Sequence, residues 1–120
     1  GVHGSNSAKF EGKELLINGC SEQGVLAYKT QGTLADCTVT NCGRSGIVSQ
    51  GNGVIHMLGE KTNVTQNCTS GERGSYDLLA LHSSSKIVLH APLTKESVSG
   101  YNRFGRYWGG DGNIVELACA

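Results

Sequence analysis

One segment of the chain is crowded with side chains suited to binding. Tyr101, Asn102, Arg103, Phe104, Gly105, Arg106, Tyr107 and Trp108 include four of the seven aromatic residues and two arginines. Aromatic rings and guanidinium groups dominate binding hot spots, because they join large contact area to a directed polar edge. Tyr101, Arg103, Phe104, Arg106, Tyr107 and Trp108 are therefore the candidate binding residues, for a sugar ring or a protein surface. The same segment also suits a cap over the open end of a repeat fold. The next residues, Gly109-Gly110-Asp111-Gly112, lack the Lys-Ser/Thr ending of a phosphate loop and read as a turn before a strand at Asn113 to Leu117.

Groups for catalysis are present but not assembled. The acids Glu11, Glu14, Glu22, Asp36, Glu60, Glu72, Asp77, Glu96, Asp111 and Glu116 are scattered, with no two expected at the same outward position of adjacent repeat units. His3, His56, His82 and His90 have no nucleophile at a useful spacing and read as solvated surface groups. No catalytic set is expected. Metal binding would need Cys-x-x-Cys pairs or histidines at ligand spacing, and Cys37-x4-Cys42 has neither, so no metal or cofactor is expected.

Lys plus Arg is 10 and Asp plus Glu is 10, which gives zero net charge and argues against a nucleic-acid partner. No apolar run approaches the 18 residues of a spanning helix, so a membrane partner is not expected either.

The elements that position these groups repeat. Gly24-Val25-Leu26-Ala27-Tyr28 recurs as Gly46-Ile47-Val48-Ser49-Gln50, and Gly1-Val2-His3-Gly4-Ser5 precedes both. A second phrase ends at Cys20, Cys42 and Cys68. The third unit is longer, and a degenerate fourth starts near Asp77 and continues as Lys86-Ile87-Val88-Leu89. Apolar residues alternate within short runs broken by Gly, Asn and Ser, which is the period of strands. Units this short cannot bury their own core and must stack. Stacking aligns Val2, Val25, Ile47 and Leu78 in one interior row, and Ile17, Val39 and Val64 in another. Gly4, Ala27, Ser49 and Ala80 form a narrow small-residue row.

Cys20, Cys42 and Cys68 are expected in one row as reduced, buried thiols, since in-register strands point their Cβ atoms the same way and suit a disulfide poorly. Unpaired thiols favour an intracellular or virion-associated setting. Asn18, Asn41 and Asn67 are expected to stack at turns. Asn63-Val64-Thr65 and Asn67-Cys68-Thr69 match the glycosylation sequon, read as chance in an Asn/Thr-rich repeat.

These phrases resemble the right-handed parallel β-helix proteins of the pectate-lyase-like superfamily. They are most similar to the short Cys/Asn/Gly-rich repeats of algal, protist and large-virus proteins. The resemblance covers roughly residues 1 to 95. It implies an all-β solenoid of about four coils of 22–30 residues spanning 1–96, with 97–120 as an irregular C-terminal cap and last strand. The superfamily hosts lyases, hydrolases, epimerases and non-catalytic modules, so fold does not choose among them. The Asp-Pro-His motif of its uronan epimerases is absent: Pro92, the one proline, follows Ala91.

The function expected is a non-catalytic module for binding or assembly, with a glycan or protein surface as ligand. The alternative is a fragment or subunit of a polysaccharide-active enzyme. An ice-binding array would need more threonines in register than Thr38, Thr40, Thr62 and Thr65. On the outer face of the first sheet, Leu26, Val48 and Leu79 should align in one column, with Tyr28 and Leu81 in the next. Such an apolar face suits an interface, so a homo-oligomer or a larger parent chain is expected.

Overall fold

A computed structural model describes residues 1–5, 8–71, 74–99 and 107–117. Tyr101, Arg103, Phe104, Arg106 and Cys119 lie outside them. The first coil holds β1 (Val2–Ser5), β2 (Phe10–Lys13) and β3 (Leu16–Asn18), and the second holds β4 (Val25–Tyr28), β5 (Gln31–Ala35) and β6 (Thr38–Thr40). The third has β7 (Ile47–Gln50), β8 (Val54–Leu58) and β9 (Asn63–Thr65). The fourth has β10 (Leu78–Ala80), β11 (Lys86–His90) and the single-turn helix α1 (Lys95–Val98), and β12 (Trp108–Gly109) and β13 (Asn113–Leu117) follow.

Every strand pairing is parallel. Sheet A runs β1-β4-β7-β10-β12, sheet B runs β2-β5-β8-β11-β13, and sheet C runs β3-β6-β9. The chain is thus an all-β parallel solenoid of about five turns. Four coils and a cap were expected. The difference lies in residues 108–117, which add strands to sheets A and B as a fifth turn.

The interior rows follow from alternation along each strand. Val2, Val25, Ile47 and Leu78 are in register, as are Gly4, Ala27, Ser49 and Ala80. Ile17, Val39 and Val64 align in sheet C. In sheet B, Leu34, Met57 and Leu89 form the matching buried row. In the fourth coil α1 packs beside β9, where a sheet C strand would stand, and Val98 is fully buried. Thr94 caps this helix: its Oγ1 accepts from Ser97 N at 3.1 Å, and Ser97 Oγ accepts from Thr94 N at 2.9 Å.

Two glycines are fixed by one ring. A Cβ added at Gly4 would lie 2.6 Å from the Phe10 ring, and one at Gly32 would lie 2.1 Å from it. Phe10 thus fills the first-coil interior by lying against two residues without side chains.

The cysteine row differs from expectation. Asn18 pairs with Thr40, and Thr40 with Thr65, which brings Cys20, Cys42 and Asn67 to equivalent positions. Cys68 is displaced one residue, in left-handed backbone at φ 62°. The displacement follows from one extra residue after β9: two residues separate Thr65 from Cys68, where one separates Thr40 from Cys42. Cys37, Cys42 and Cys68 are buried, while Cys20 is only half-buried, and all four are thiols rather than disulfides. Burial pushes the Cys42 thiol up to about 11, and its neighbour Cys20 contributes to its environment.

Candidate binding surfaces

The sheet A register puts Trp108 opposite Leu78, so the indole continues the Val2–Val25–Ile47–Leu78 interior row. As the last described member of that row, Trp108 packs on the core on one side and stays half-buried. Backbone pairing holds it there. Tyr107 O accepts from Leu78 N at 2.9 Å and from Ser99 Oγ at 2.9 Å. The Lys95 ammonium, on α1, lies 5.6 Å from the indole centroid. Lys95 N donates to Glu116 Oε2 at 2.7 Å, which ties the helix to β13. The Tyr107 and Trp108 rings are 5.8 Å apart and tilted by 43°.

A shallow cavity of about 280 Å³ opens beside this indole, lined by Lys95, Trp108, the backbone of Gly109, Gly110 and Gly112, Asn113 and Ile114. It offers an aromatic face, a cation and a carboxamide. Such a set can stack on the C–H face of a sugar ring and pair with an acidic substituent. Of the six binding residues expected, the structure places Tyr107 and Trp108 together; the other four lie outside the described residues. Lys95 was missed because only the fifth coil brings it to Trp108, 13 residues later.

The apolar column of sheet A requires a correction. Leu26, Val48 and Leu79 are in register, and Tyr28 pairs with Gln50, as expected. However, Val48 is 2% exposed and Leu79 7%, so the column is not an open surface. Leu26, Tyr28 and Leu81 are half-buried. Part of the cover over Leu79 comes from the next coil: a Cβ on Gly110 would lie 3.0 Å from Leu79 Cδ1. Alternation predicts which way a side chain points, but not what folds back over it.

Two of the histidines are not simple solvated groups. His56 is opposite Val88 in sheet B, which brings His90, two residues on, beside it. His56 Nδ1 and His90 Nε2 are 2.9 Å apart, with ring centroids 5.1 Å apart. The rings meet end to end and share one hydrogen bond. Burial, then the charge of His90, holds His56 below the usual imidazole range. His82 sits at the next corner, where Nδ1 accepts from Gly51 N at 3.2 Å. His82 N donates to Asp111 Oδ1 at 2.7 Å, and that bond holds the Asp111 carboxyl below the usual range.

Two acids do align, contrary to expectation. Lys13 pairs with Ala35, so Glu14 and Asp36 occupy one corner position of adjacent coils, at φ 55° and 52°. Asp36 Oδ1 accepts from Lys61 N at 3.1 Å, a turn-closing bond. Among the described residues no three His, Cys, Asp or Glu side chains gather as a metal site.

The asparagines divide by role. Asn41 Nδ2 donates to Asn18 Oδ1 at 3.1 Å on the surface. Asn67 instead enters the interior. It accepts from Cys42 N at 3.0 Å and donates through Nδ2 to Val39 O at 3.0 Å and Asp77 Oδ1 at 3.0 Å. Asp77 Oδ2 accepts from Ser99 Oγ at 3.1 Å, so both carboxylate oxygens are engaged.

No protein-family model matches this chain, and no curated protein or solved structure matches it.

Proposed function

We propose that the chain is a non-catalytic β-solenoid module that binds a glycan at the Trp108 end of its interior row. The observation that carries this reading is the half-buried indole of Trp108, beneath the Lys95 ammonium and beside an open cavity of about 280 Å³. As an end member of its row the indole keeps part of its surface, as Val2 does at the other end, and that surface lies beside the Lys95 ammonium and the Asn113 carboxamide. The alternative, part of a polysaccharide-active enzyme, draws on the resemblance of the repeat phrases to pectate-lyase-like proteins.

Trp108 is the single tryptophan, so its fluorescence reports the site directly. A glycan array identifies candidates, fluorescence titration measures the affinity of the wild type and of Lys95→Gln, and calorimetry measures that of Trp108→Ala, which has no indole. Trp108→Ala is expected to abolish binding, and Lys95→Gln to weaken acidic glycans about tenfold while sparing neutral ones. A blank array would overturn the binding reading. Turnover of a uronan by the same preparation would favour the enzyme alternative.

A further inference from the structure

A second pocket lies where sheet A turns into sheet B, among the first three coils. It is about 230 Å³ and is lined by Lys9, Lys29, Thr30, Gln31 and Asn52. All five side chains can donate hydrogen bonds, and no carboxylate is among them. Lys9 and Lys29 are exposed, and neither has a carboxylate within ion-pair distance among the described residues.

The backbone sets this up. Lys29 sits in left-handed backbone at φ 55° and Asn52 at φ 68°, both at the corner. Gly51 leaves room for the Lys29 stem, since a Cβ there would lie 3.3 Å from Lys29 Cγ. Lys29 Nζ is 5.2 Å from the Tyr28 ring centroid. Asn52 Oδ1 accepts from Ser84 Oγ, which leaves the Asn52 Nδ2 hydrogens to donate elsewhere. Thr30 is 5% exposed, and its Oγ1 has no hydrogen-bond partner.

We infer that this corner is a binding site for a tetrahedral oxyanion, a sulfate or phosphate group. The ligand class follows from the donors. Two lysines line the pocket from separate turns, and an ammonium is a point charge without the planar fork that arginine offers a carboxylate. The volume suits a single charged substituent, as it falls below the range of pockets for drug-sized ligands. This inference stands apart from the Trp108 reading, because the two pockets share no residue.

The test is a ¹H–¹⁵N NMR titration of the full chain with sodium sulfate and with sodium phosphate, ionic strength being held constant with sodium chloride. Saturable shifts at Lys29, Thr30, Gln31 and Asn52 are expected. A Lys9→Gln, Lys29→Gln double variant should bind at least tenfold more weakly, with its melting temperature unchanged because both side chains are exposed. A sulfated monosaccharide, a phosphorylated one and the parent sugar form the second arm. Tighter binding of an ester than of the free anion would assign the anion to a sugar, and equal binding would assign it to the free ion. Shifts spread over the other lysines, or undiminished in the double variant, would overturn the site.

Discussion

Asn67 and Asp77 are joined twice inside the solenoid. The Asn67 backbone N–H and Nδ2 both donate to Asp77 Oδ1, at 3.1 and 3.0 Å, and both residues are fully buried. They bracket the longest departure from the repeat, so this pair closes the loop of the third coil onto the core.

Removing Asn67 should therefore be costly. Asn67→Ala leaves Cys42 N–H and Val39 C=O without their side-chain partner and removes one donor from Asp77. The expected loss is about 3 kcal/mol in urea unfolding. Asn63→Ala, at an exposed position of β9, should stay within about 0.5 kcal/mol. Equal effects at the two sites would show that the buried network contributes little.

The thiols should react in a fixed order. Cys20 is half-buried, whereas Cys37, Cys42 and Cys68 are buried. With the Cys42 thiol at about 11, its thiolate fraction at pH 8 is on the order of one in a thousand. Among these four, a thiol reagent at pH 8 should label Cys20 first and the others only on unfolding, as peptide mapping would reveal. The linkage has a definite sign. The folded value lies above the ordinary one, so the unfolded chain loses its proton first as pH rises. The contribution is complete below about 9 and is lost between 9 and 11.

Acid should weaken the His56–His90 contact. His56 is held below its ordinary value of 6.5, so the unfolded chain takes up a proton before the folded one does. Stability is present above 6.5 and falls as pH drops through the lowered folded value. Replacing His90 with Gln removes the neighbouring charge, and His56 should then titrate at higher pH. Imidazole proton NMR of the wild type and of His90→Gln would show this; an unmoved His56 would mean that burial alone sets its value.

Phe10 and Gly32 should be energetically coupled. Gly32→Ala forces a methyl group into the Phe10 ring and should cost about 2 kcal/mol. In a Phe10→Leu background the same change should cost less, because the aliphatic side chain can give way. A double-mutant cycle by thermal unfolding measures the difference; strict additivity would argue that the ring is not what excludes a side chain at Gly32.

The repeat phrases determined the solenoid by themselves. Val25, Ile47 and Leu78 could be aligned on paper because a strand has period two and because stacked coils bury equivalent positions. The strand at Asn113 to Leu117 was equally legible from its flanking glycine turn.

Only the tertiary structure decided how the irregular parts pair. One extra residue in the third coil moved Cys68 out of the row and Asn67 into it, a slip that residue types alone do not reveal. The same holds for Trp108. Its aromatic neighbourhood marked it as a cap or a binding residue, but its place as the fifth member of an interior row depends on pairing with Leu78. Val48 and Leu79 point outward, as alternation requires, yet are buried; Leu79 lies against Gly110 of the next coil, a neighbour that a local pattern does not encode. His56 and His90, and Lys9 and Lys29, are likewise far apart in sequence, and each pair is brought together only by the stacking of coils.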